Sequence, residues 1–133
     1  MKTAIVTGAS GFIGSNLVKN LIRHNIAVQA IVREKGKNTI DSPLVSYIEC
    51  DLKDYETLNM KVHPADVLYH FAWCGVSNEQ SRQYQIQLLN IKATLDLING
   101  PKFFSKFIGA GSLHEIECLR EFQDNTKIKN PGM

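Results

Sequence analysis

Three glycines at intervals of three, Gly8, Gly11 and Gly14, constrain the fold of this chain more than any other feature. An apolar run at residues 2–7 precedes them, and residues 13–22 after them place apolar side chains at helical spacing. Glycine at such a junction indicates that the backbone turns sharply or approaches another group closely. The segment therefore predicts a buried strand, a tight turn and an amphipathic helix.

The alternation of strand and helix continues along the chain. Runs rich in β-branched residues alternate with helical periodicity, and turn and breaker residues separate them. Such alternation favours an open parallel sheet with helices on both faces. In the last predicted helix, which is amphipathic, Leu88, Ile91, Leu95 and Ile98 are in register. We predict strands at 2–7, 26–32, 45–50, 66–71 and 105–111, and helices directly after the glycines, near 54–61 and from about 80 to 98.

Composition narrows the class of protein. The chain has 133 residues, the length of about one domain, and its 15 basic and 13 acidic side chains give a net charge of +2. We therefore expect no binding to nucleic acid or to an anionic membrane. No apolar segment is long enough to span a bilayer and no signal peptide precedes the first strand, so we expect a cytoplasmic protein. Cys50, Cys74 and Cys118 lack Cys-x-x-Cys spacing, which indicates reduced thiols without a disulfide or a metal site.

The position of the glycines between a strand and a helix indicates a dinucleotide-binding turn. There, Gly8 would let the chain leave the strand, Gly11 would admit a pyrophosphate, and Gly14 would let helix and strand pack closely. The N-terminus of the helix would offer unpaired N–H groups and the positive end of its dipole to the phosphates. The spacing is G-x-x-G-x-x-G, which differs from the G-x-G-x-x-G of most dinucleotide-binding dehydrogenases.

Several further motifs follow in a fixed order. They are T-G-A-S-G-F-I-G-S at 7–15, E-C-D-L at 49–52, H-F-A-W at 70–73, the helix containing Asn90, and G-A-G-S at 109–112. Over essentially its whole length the chain resembles the extended short-chain dehydrogenases/reductases, the NAD(P)-dependent epimerase/dehydratase family. The resemblance implies a Rossmann-type three-layer α/β fold whose parallel sheet is truncated after about five strands. G-S-L-H-E at 111–115 looks most like a branch associated with modified sugars of cell-surface polysaccharides.

The residue after the second predicted strand bears on the choice of cofactor. Many NAD enzymes carry an acidic residue there, which holds the ribose 2′-hydroxyl. This chain has Arg33, whose guanidinium would bind a 2′-phosphate with help from Lys35 or Lys37. We therefore favour NADP over NAD, although Glu34 is an alternative ligand for the ribose. By resemblance, Ser10, Phe12 and Ile13 in the glycine turn also contact the cofactor.

The resemblance implies more cofactor contacts after the third and fourth strands. The carboxylate of Asp51 would face the adenine amino group and Leu52 would pack on the ring; the alternative for Asp51 is a helix cap. Phe71, Ala72 and Trp73 would lie behind the cofactor's ribose and phosphate. Small residues usually occupy the place of Trp73, so its indole either reshapes this wall or packs outward, and packing is the favoured interpretation.

Two polar residues in predicted secondary structure have competing interpretations. His70 lies near the end of the fourth strand, and we interpret it as a buried residue with a hydrogen-bonded ring, because no second metal ligand stands at suitable spacing. Asn90 resembles the family's asparagine that bonds backbone near the active site. An exposed polar position in the helix is the alternative for Asn90.

Ser112 follows the fifth predicted strand and resembles the family's catalytic Ser/Thr, which donates a hydrogen bond to a substrate oxygen; the alternative is a turn residue. The family also uses Tyr-x-x-x-Lys, in which lysine and the nicotinamide ribose lower the pKa of the phenol. No tyrosine follows Ser112, and Ile116 stands where relatives often have one. His114 and Glu115 are adjacent, but the family does not use them as acid and base. We expect no turnover by the 133-residue chain alone.

The resemblance implies the NAD(P)-binding part of a nucleotide-sugar epimerase, dehydratase or reductase. Residues 1–133 would form the N-terminal portion of its Rossmann domain, and the C-terminal substrate domain would be absent. The complete protein would be an isomerase or oxidoreductase that acts by hydride transfer on a nucleotide sugar, with a homodimer as one option for its assembly. The alternative is a non-catalytic NAD(P)-binding or redox-sensing module, because fold does not determine function.

Overall fold

The computed structural model describes residues 1–36, 39–111 and 120. Within them, five parallel strands form one sheet with helices on both faces, which confirms the predicted α/β class. No helix in this part of the chain is long and apolar enough to cross a membrane. The strands are β1 (Thr3–Thr7), β2 (Ala27–Val32), β3 (Val45–Glu49), β4 (Ala65–His70) and β5 (Phe104–Gly109). The helices are α1 (Phe12–Arg23) and α2 (Tyr84–Asn99), with 3₁₀ helices at Leu52–Met60 and Gln80–Arg82.

The strand order is β3-β2-β1-β4-β5, so β1 lies at the centre of the sheet. The chain moves outward from β1 to β3 and then crosses to the other side of β1, where β4 pairs with it. The strand order therefore reverses between β1 and β4, where Thr7 stands opposite His70. In open α/β sheets, ligands bind in the crevice beyond the carboxyl ends of the strands at such a switch point.

Alternate residues of the central strand supply two apolar cores. Ala4 and Val6 of β1 point to the face covered by α1, where Val18 packs against them. Ile5 points to the opposite face, where Leu97 of α2 belongs to the same core. A strand buried on both faces reads as a continuous apolar run, which explains why β1 was visible in the sequence.

Two predicted helices differ from the observed ones. The helix near 54–61 is a 3₁₀ helix that begins at Leu52, because the carboxylate of Asp51 caps it by accepting the N–H of Lys53 at 3.1 Å. The helix predicted from about 80 is divided at Gln83, whose backbone is extended with φ −85° and ψ 103°. The remaining predicted elements are present, with boundaries shifted by one or two residues.

The apolar register predicted for the last helix lies on its exposed side. Leu88, Ile91, Leu95 and Ile98 are between 37% and 56% exposed, whereas Ala93 and Leu97 are buried. The helix carries apolar residues at helical spacing on two sides, and the sequence periodicity alone does not distinguish the side that packs on the sheet.

Candidate functional site

A cleft opens at the carboxyl edge of the sheet, where the loops after β1, β2, β3 and β4 meet. Most of the predicted cofactor residues line it together. They are Gly8, Ser10, Gly11, Arg33, Asp51, Leu52, Phe71, Ala72 and Trp73. Phe12, Ile13, Gly14 and Lys35 are not among its lining residues.

Gly8 and Gly14 are required by the protein's own backbone. Gly8 has φ +67°, and a Cβ there would lie 2.7 Å from both Ala72 N and Phe71 C, so β1 ends directly against the end of β4. A Cβ at Gly14 would lie 2.8 Å from Gly8 C and 2.9 Å from Ala9 Cα. The start of α1 therefore packs directly on the turn that precedes it.

Gly11 is in a different environment. A Cβ there would meet Gly8 O at 3.3 Å and no other described atom within 4 Å, apart from its chain neighbours and the backbone of its own helix. Gly11 is the N-cap of α1, no side chain caps the helix, and no acidic residue lies in its first turn. The start of α1 thus lies at the cleft, which Gly11 lines, and its N–H groups and the positive end of its dipole suit a phosphate there.

Phe12 and Ile13 follow this cap and are 87% and 58% exposed. Phe12 lines a shallow depression beside the cleft, together with Ser10, Gly11 and Asn16. Phe12 and Ile13 therefore lie on the exposed side of α1. The buried side of this helix packs through Val18 and Leu21.

Arg33 stands directly after β2, is exposed, and lines the cleft. No described residue forms a hydrogen bond or ion pair with its guanidinium. Glu34 does not line the cleft. Lys35 donates its backbone N–H to the carboxylate of Glu49 at 2.8 Å, which fixes the loop behind Arg33. Lys37 lies outside the described residues.

Asp51 is the helix cap that one of its two interpretations predicts, and its contact with the adenine stays a prediction. It caps the 3₁₀ helix through the bond to Lys53 N, and it also lines the cleft. Leu52 is buried, and it too forms part of the cleft wall. The carboxylate of Asp51 and the apolar side chain of Leu52 therefore line the same part of the chain's cleft wall, after β3.

The segment Phe71–Cys74 forms the far wall of the cleft. The hydroxyl oxygen of Thr7 accepts the N–H groups of Phe71 and Ala72 at 3.2 and 3.3 Å. At the other end of the segment, the amide of Asn90 accepts Cys74 N–H and donates to Cys74 O, both at 2.8 Å. Asn90 is fully buried, so of its two interpretations the backbone-bonding one is correct.

His70 is buried, as predicted, and both its ring nitrogens are hydrogen-bonded. Nδ1 lies 2.8 Å from the Thr7 hydroxyl, and Nε2 lies 3.0 Å from the hydroxyl of Thr94. Because the Thr7 oxygen accepts two N–H groups, we assign its proton to the bond with Nδ1, and Nε2–H then donates to Thr94. Thr94 in turn donates to Asn90 O at 2.9 Å. Burial lowers the pKa of His70 from 6.5 to about 4, which keeps the ring neutral.

Sequence analysis missed three cleft residues: Cys50, Tyr55 and Cys74. Burial raises the pKa of the Tyr55 phenol, which is opposite to the shift that a catalytic tyrosine needs. Burial also raises the pKa of the Cys50 thiol. Their location just after β3 and β4 is the one signal that indicated proximity to the site.

Trp73 occupies the junction of the cleft with an apolar pocket. This pocket is also lined by Phe107 of β5 and by the residues 109–111 that follow it along the carboxyl edge. The indole is 52% exposed and has no hydrogen bond or ring contact within the described chain. The Trp73 side chain thus forms part of the wall of both the cleft and the apolar pocket. Ser112, His114 and Glu115 lie outside the described residues.

No group of three or more His, Cys, Asp or Glu side chains in the described ranges is arranged to hold a metal ion. The donor set around the cleft is instead backbone N–H, one guanidinium and one carboxylate. This set fits the phosphates and ribose of a dinucleotide.

Comparison with known proteins identifies the family. The family model described as the NAD dependent epimerase/dehydratase family matches residues 4–127. The chain belongs to this epimerase/dehydratase family. The match includes the glycine turn, the five strands of the described sheet and residues 71–74, which form the far wall of the cleft.

Individual members of the epimerase/dehydratase family resemble the chain over part of their length. It is 34% identical over 91 residues to ADP-L-glycero-D-manno-heptose-6-epimerase of Alkalilimnicola ehrlichii, a match that covers 62% of this chain and 28% of the relative. It is 30% identical over 100 residues to a decarboxylating sterol-4-alpha-carboxylate 3-dehydrogenase of Dictyostelium discoideum, with 74% and 30% covered. The chain therefore spans less than a third of the length of these curated relatives.

A solved protein structure shares the fold. The structure of the Bordetella bronchiseptica enzyme WbmF in complex with NAD+ has a TM-score of 0.62 and 26% identity, and covers 85% of this chain and 39% of that one. The two curated relatives are named for a heptose and a sterol carboxylate, so membership of the epimerase/dehydratase family does not by itself define a substrate.

Proposed function

We propose that this chain is the NAD(P)-binding part of a nucleotide-sugar epimerase, dehydratase or reductase, and that it favours NADP. We also propose that residues 1–133 are the N-terminal portion of the Rossmann domain of a longer protein, since the relatives are more than twice its length. Such a cytoplasmic enzyme would receive its substrate through the part that lies beyond this chain.

The cleft at the switch point between β1 and β4 carries this proposal. Gly8 and Gly14 bring three backbone segments together there, and Gly11 leaves space where the uncapped start of α1 faces the cleft. A pyrophosphate needs N–H donors, a positive helix end and close backbone approach, and this arrangement supplies all of them. The solved relative WbmF, whose structure contains NAD+, supports the same ligand class for this chain.

The preference for NADP rests on Arg33. Its guanidinium lines the cleft without a partner among the described residues, whereas the neighbouring carboxylate of Glu34 does not reach the cleft wall. A planar guanidinium binds a phosphate through paired charge-assisted hydrogen bonds, whereas a neutral ribose hydroxyl accepts only an ordinary hydrogen bond from it. An extra phosphate at the ribose is therefore the group that this position is best suited to hold.

NAD(P), when bound, supplies the hydride acceptor and donor of the reaction. The residues of this chain would hold and orient it: the start of α1 binds the diphosphate, Asp51 and Leu52 contact the adenine, and residues 71–73 support the ribose. Ser112 would donate a hydrogen bond to a substrate oxygen. The proton-transferring tyrosine would come from sequence beyond residue 133, since no tyrosine follows Ser112 in this chain.

Calorimetric titration with NADPH and with NADH tests the proposal. The parent chain is compared with Arg33→Ala and with Arg23→Ala, a matched control in which an exposed arginine is removed from the far end of α1. We expect NADPH to bind more tightly than NADH in the parent and in the control. We expect Arg33→Ala to lose this preference, with NADPH affinity reduced about tenfold or more because a charge-assisted bond to phosphate is lost.

The outcomes separate the two parts of the proposal. Equal affinity for both cofactors, unchanged in Arg33→Ala, would overturn the NADP preference and leave the NAD(P) site in place. Absence of binding by either cofactor to a folded parent chain would overturn the cofactor role itself.

A further inference from the structure

The far wall of the cleft has no secondary structure, yet it is held at both ends. Residues 71–74 run from the end of β4 along the cleft, and Thr7 and Asn90 bond their backbone. Among the described residues, the Ala72 N–H has only the Thr7 hydroxyl oxygen as a partner, at 3.3 Å, whereas the Phe71 N–H is shared with Thr7 O at 3.3 Å. The orientation of one hydroxyl group therefore determines whether Ala72 is fixed.

The hydroxyl of Thr7 is itself oriented by His70. The Thr7 oxygen accepts two N–H groups, and we assign its single proton to the 2.8 Å bond with Nδ1 of His70, although the Tyr55 phenol also neighbours this hydroxyl. The ring is held in turn by Thr94 on α2, and Thr94 donates to the backbone of Asn90. Because Asn90 holds Cys74, the two anchors of the wall are joined through the ring.

We propose that His70 is a positioning residue for the cofactor cleft: through Thr7 and Thr94 it fixes the wall formed by residues 71–74. The expected effect on NADPH binding rests on the proposed cofactor function. The positioning of residues 71–74 rests on the buried hydrogen bonds alone. His70 does not line the cofactor cleft, and it contributes instead to the apolar pocket on the other side of the wall, beside Phe107. A buried, neutral imidazole suits this role. A ring protonated on both nitrogens would present an N–H to the Thr7 hydroxyl, which needs an acceptor for its own proton.

The groups around His70 favour the neutral ring. Tyr55 packs edge-on against it with ring centroids 6.0 Å apart, and Phe107 lies 5.9 Å away on β5. No described carboxylate is bonded to the ring, and both of its polar neighbours are threonine hydroxyls. Nothing in this environment compensates a positive charge on the imidazole.

Three measurements on the 133-residue chain test the proposal. Ring ¹⁵N chemical shifts identify the tautomer, amide hydrogen exchange compares Ala72 with Ile5 in the core of β1, and calorimetry gives NADPH affinity. The variants are Thr7→Val, which keeps the shape but removes the acceptor, and His70→Phe, which keeps a ring but removes both bonds. The control is Leu97→Ala, which removes packing from α2 without touching the network.

We expect the parent ring to be neutral with its proton on Nε2. In both network variants we expect exchange at Ala72 to accelerate about tenfold relative to Ile5 and NADPH affinity to fall about tenfold, as for the loss of a buried hydrogen bond. Leu97→Ala should lower overall stability while the Ala72 to Ile5 ratio and the affinity stay within about twofold of the parent.

A changed exchange ratio is the readout that general destabilisation does not produce. An unchanged ratio in both variants, an unchanged NADPH affinity in both, or a ring protonated on Nδ1 would overturn the proposal. If the parent chain does not bind NADPH, the cofactor function fails, and the tautomer and the exchange ratio still decide whether His70 positions the wall. If His70→Phe does not fold, Thr94→Val supplies the decision, because it removes the hydroxyl that holds Nε2 of the ring and leaves the Thr7 acceptor of Ala72 intact.

Discussion

The two walls of the cleft are built by opposite means. The wall at the start of α1 depends on missing side chains, since Gly8 and Gly14 allow backbone segments to touch. The facing wall, residues 71–74, depends on side chains that are present, because Thr7 and Asn90 bond its backbone. The first wall is specified within a few residues of sequence. The second is specified by bonds between residues far apart in the chain, such as Thr7 and His70, separated by 63 positions.

The difference shows how two kinds of constraint combine at one site. Removing a glycine adds atoms where backbone already lies, which the fold accommodates only by moving. Removing a hydrogen-bonding side chain leaves the backbone in place and an N–H unpaired, which costs less and acts locally. We therefore expect larger losses of stability from substitutions at Gly8 and Gly14 than in the polar network.

Gly8→Ala tests the glycine wall most severely. A Cβ at Gly8 combines a positive φ of +67° with approach to 2.7 Å of Ala72 N and Phe71 C. We expect the free energy of unfolding to fall by roughly 3 to 4 kcal/mol, the sum of left-handed strain and a backbone clash. Urea denaturation followed by circular dichroism measures it.

Gly36→Ala is the matched control for this substitution. Gly36 also has a positive φ, +103°, but an added Cβ would meet nothing within 4 Å. It isolates strain from clash, and we expect a loss of about 1 to 2 kcal/mol. Equal losses in the two variants would show that the contact between the ends of β1 and β4 is not the limiting constraint.

The same contrast explains what the sequence could predict. The strands and the glycine turn follow from local periodicity and from one backbone rule, so β1, α1 and the role of Gly14 are accessible from residues 2–23 alone. The bonds of His70 depend on β4 lying beside β1 and on α2 lying beneath both, which no local pattern encodes. The buried side of α2 is not accessible from the sequence for a similar reason: its apolar residues occupy two sides, and only the sheet selects one.

Cleft residues were missed where packing and function use the same residue type. Tyr55 and Cys50 are buried members of the apolar core and also line the cleft. In the sequence they are indistinguishable from other core residues. Arg33 was identified because a guanidinium after a strand end is chemically conspicuous.

The polar wall has a signature in pH. Burial lowers the pKa of His70 from 6.5 to about 4, so the unfolded chain binds a proton in this range and the folded chain does not. Stability contributed by the neutral ring is full above pH 6.5 and is lost as the pH falls towards 4, by about 3 kcal/mol in total. Urea midpoints measured from about pH 7.5 down to about pH 4.5 follow this loss.

Two histidine variants and a lower pH limit assign the pH dependence of stability to His70. His70→Phe should flatten the slope, whereas His63→Gln, which alters an exposed histidine, should retain it. Asp66 contributes at lower pH, because N–H bonds from Lys2 and Thr3 hold the pKa of its carboxyl below 3.8. A slope that persists in His70→Phe would assign the acid sensitivity to other groups.

Gly11→Ala sharpens the comparison from within the glycine wall, because it should have the smallest effect on stability. Gly11 has φ −75°, which alanine adopts readily, and its nearest contact would be Gly8 O at 3.3 Å. We expect the free energy of unfolding to change by less than about 1 kcal/mol.

The added methyl group would enter the space that we assign to the diphosphate, so NADPH affinity should fall about tenfold or more because close backbone approach is lost. Thermal unfolding and calorimetry on the same preparation measure both effects. A chain that keeps its stability and loses NADPH binding would show that Gly8 and Gly14 serve the protein while Gly11 serves the ligand; unchanged binding would place the diphosphate elsewhere in the cleft.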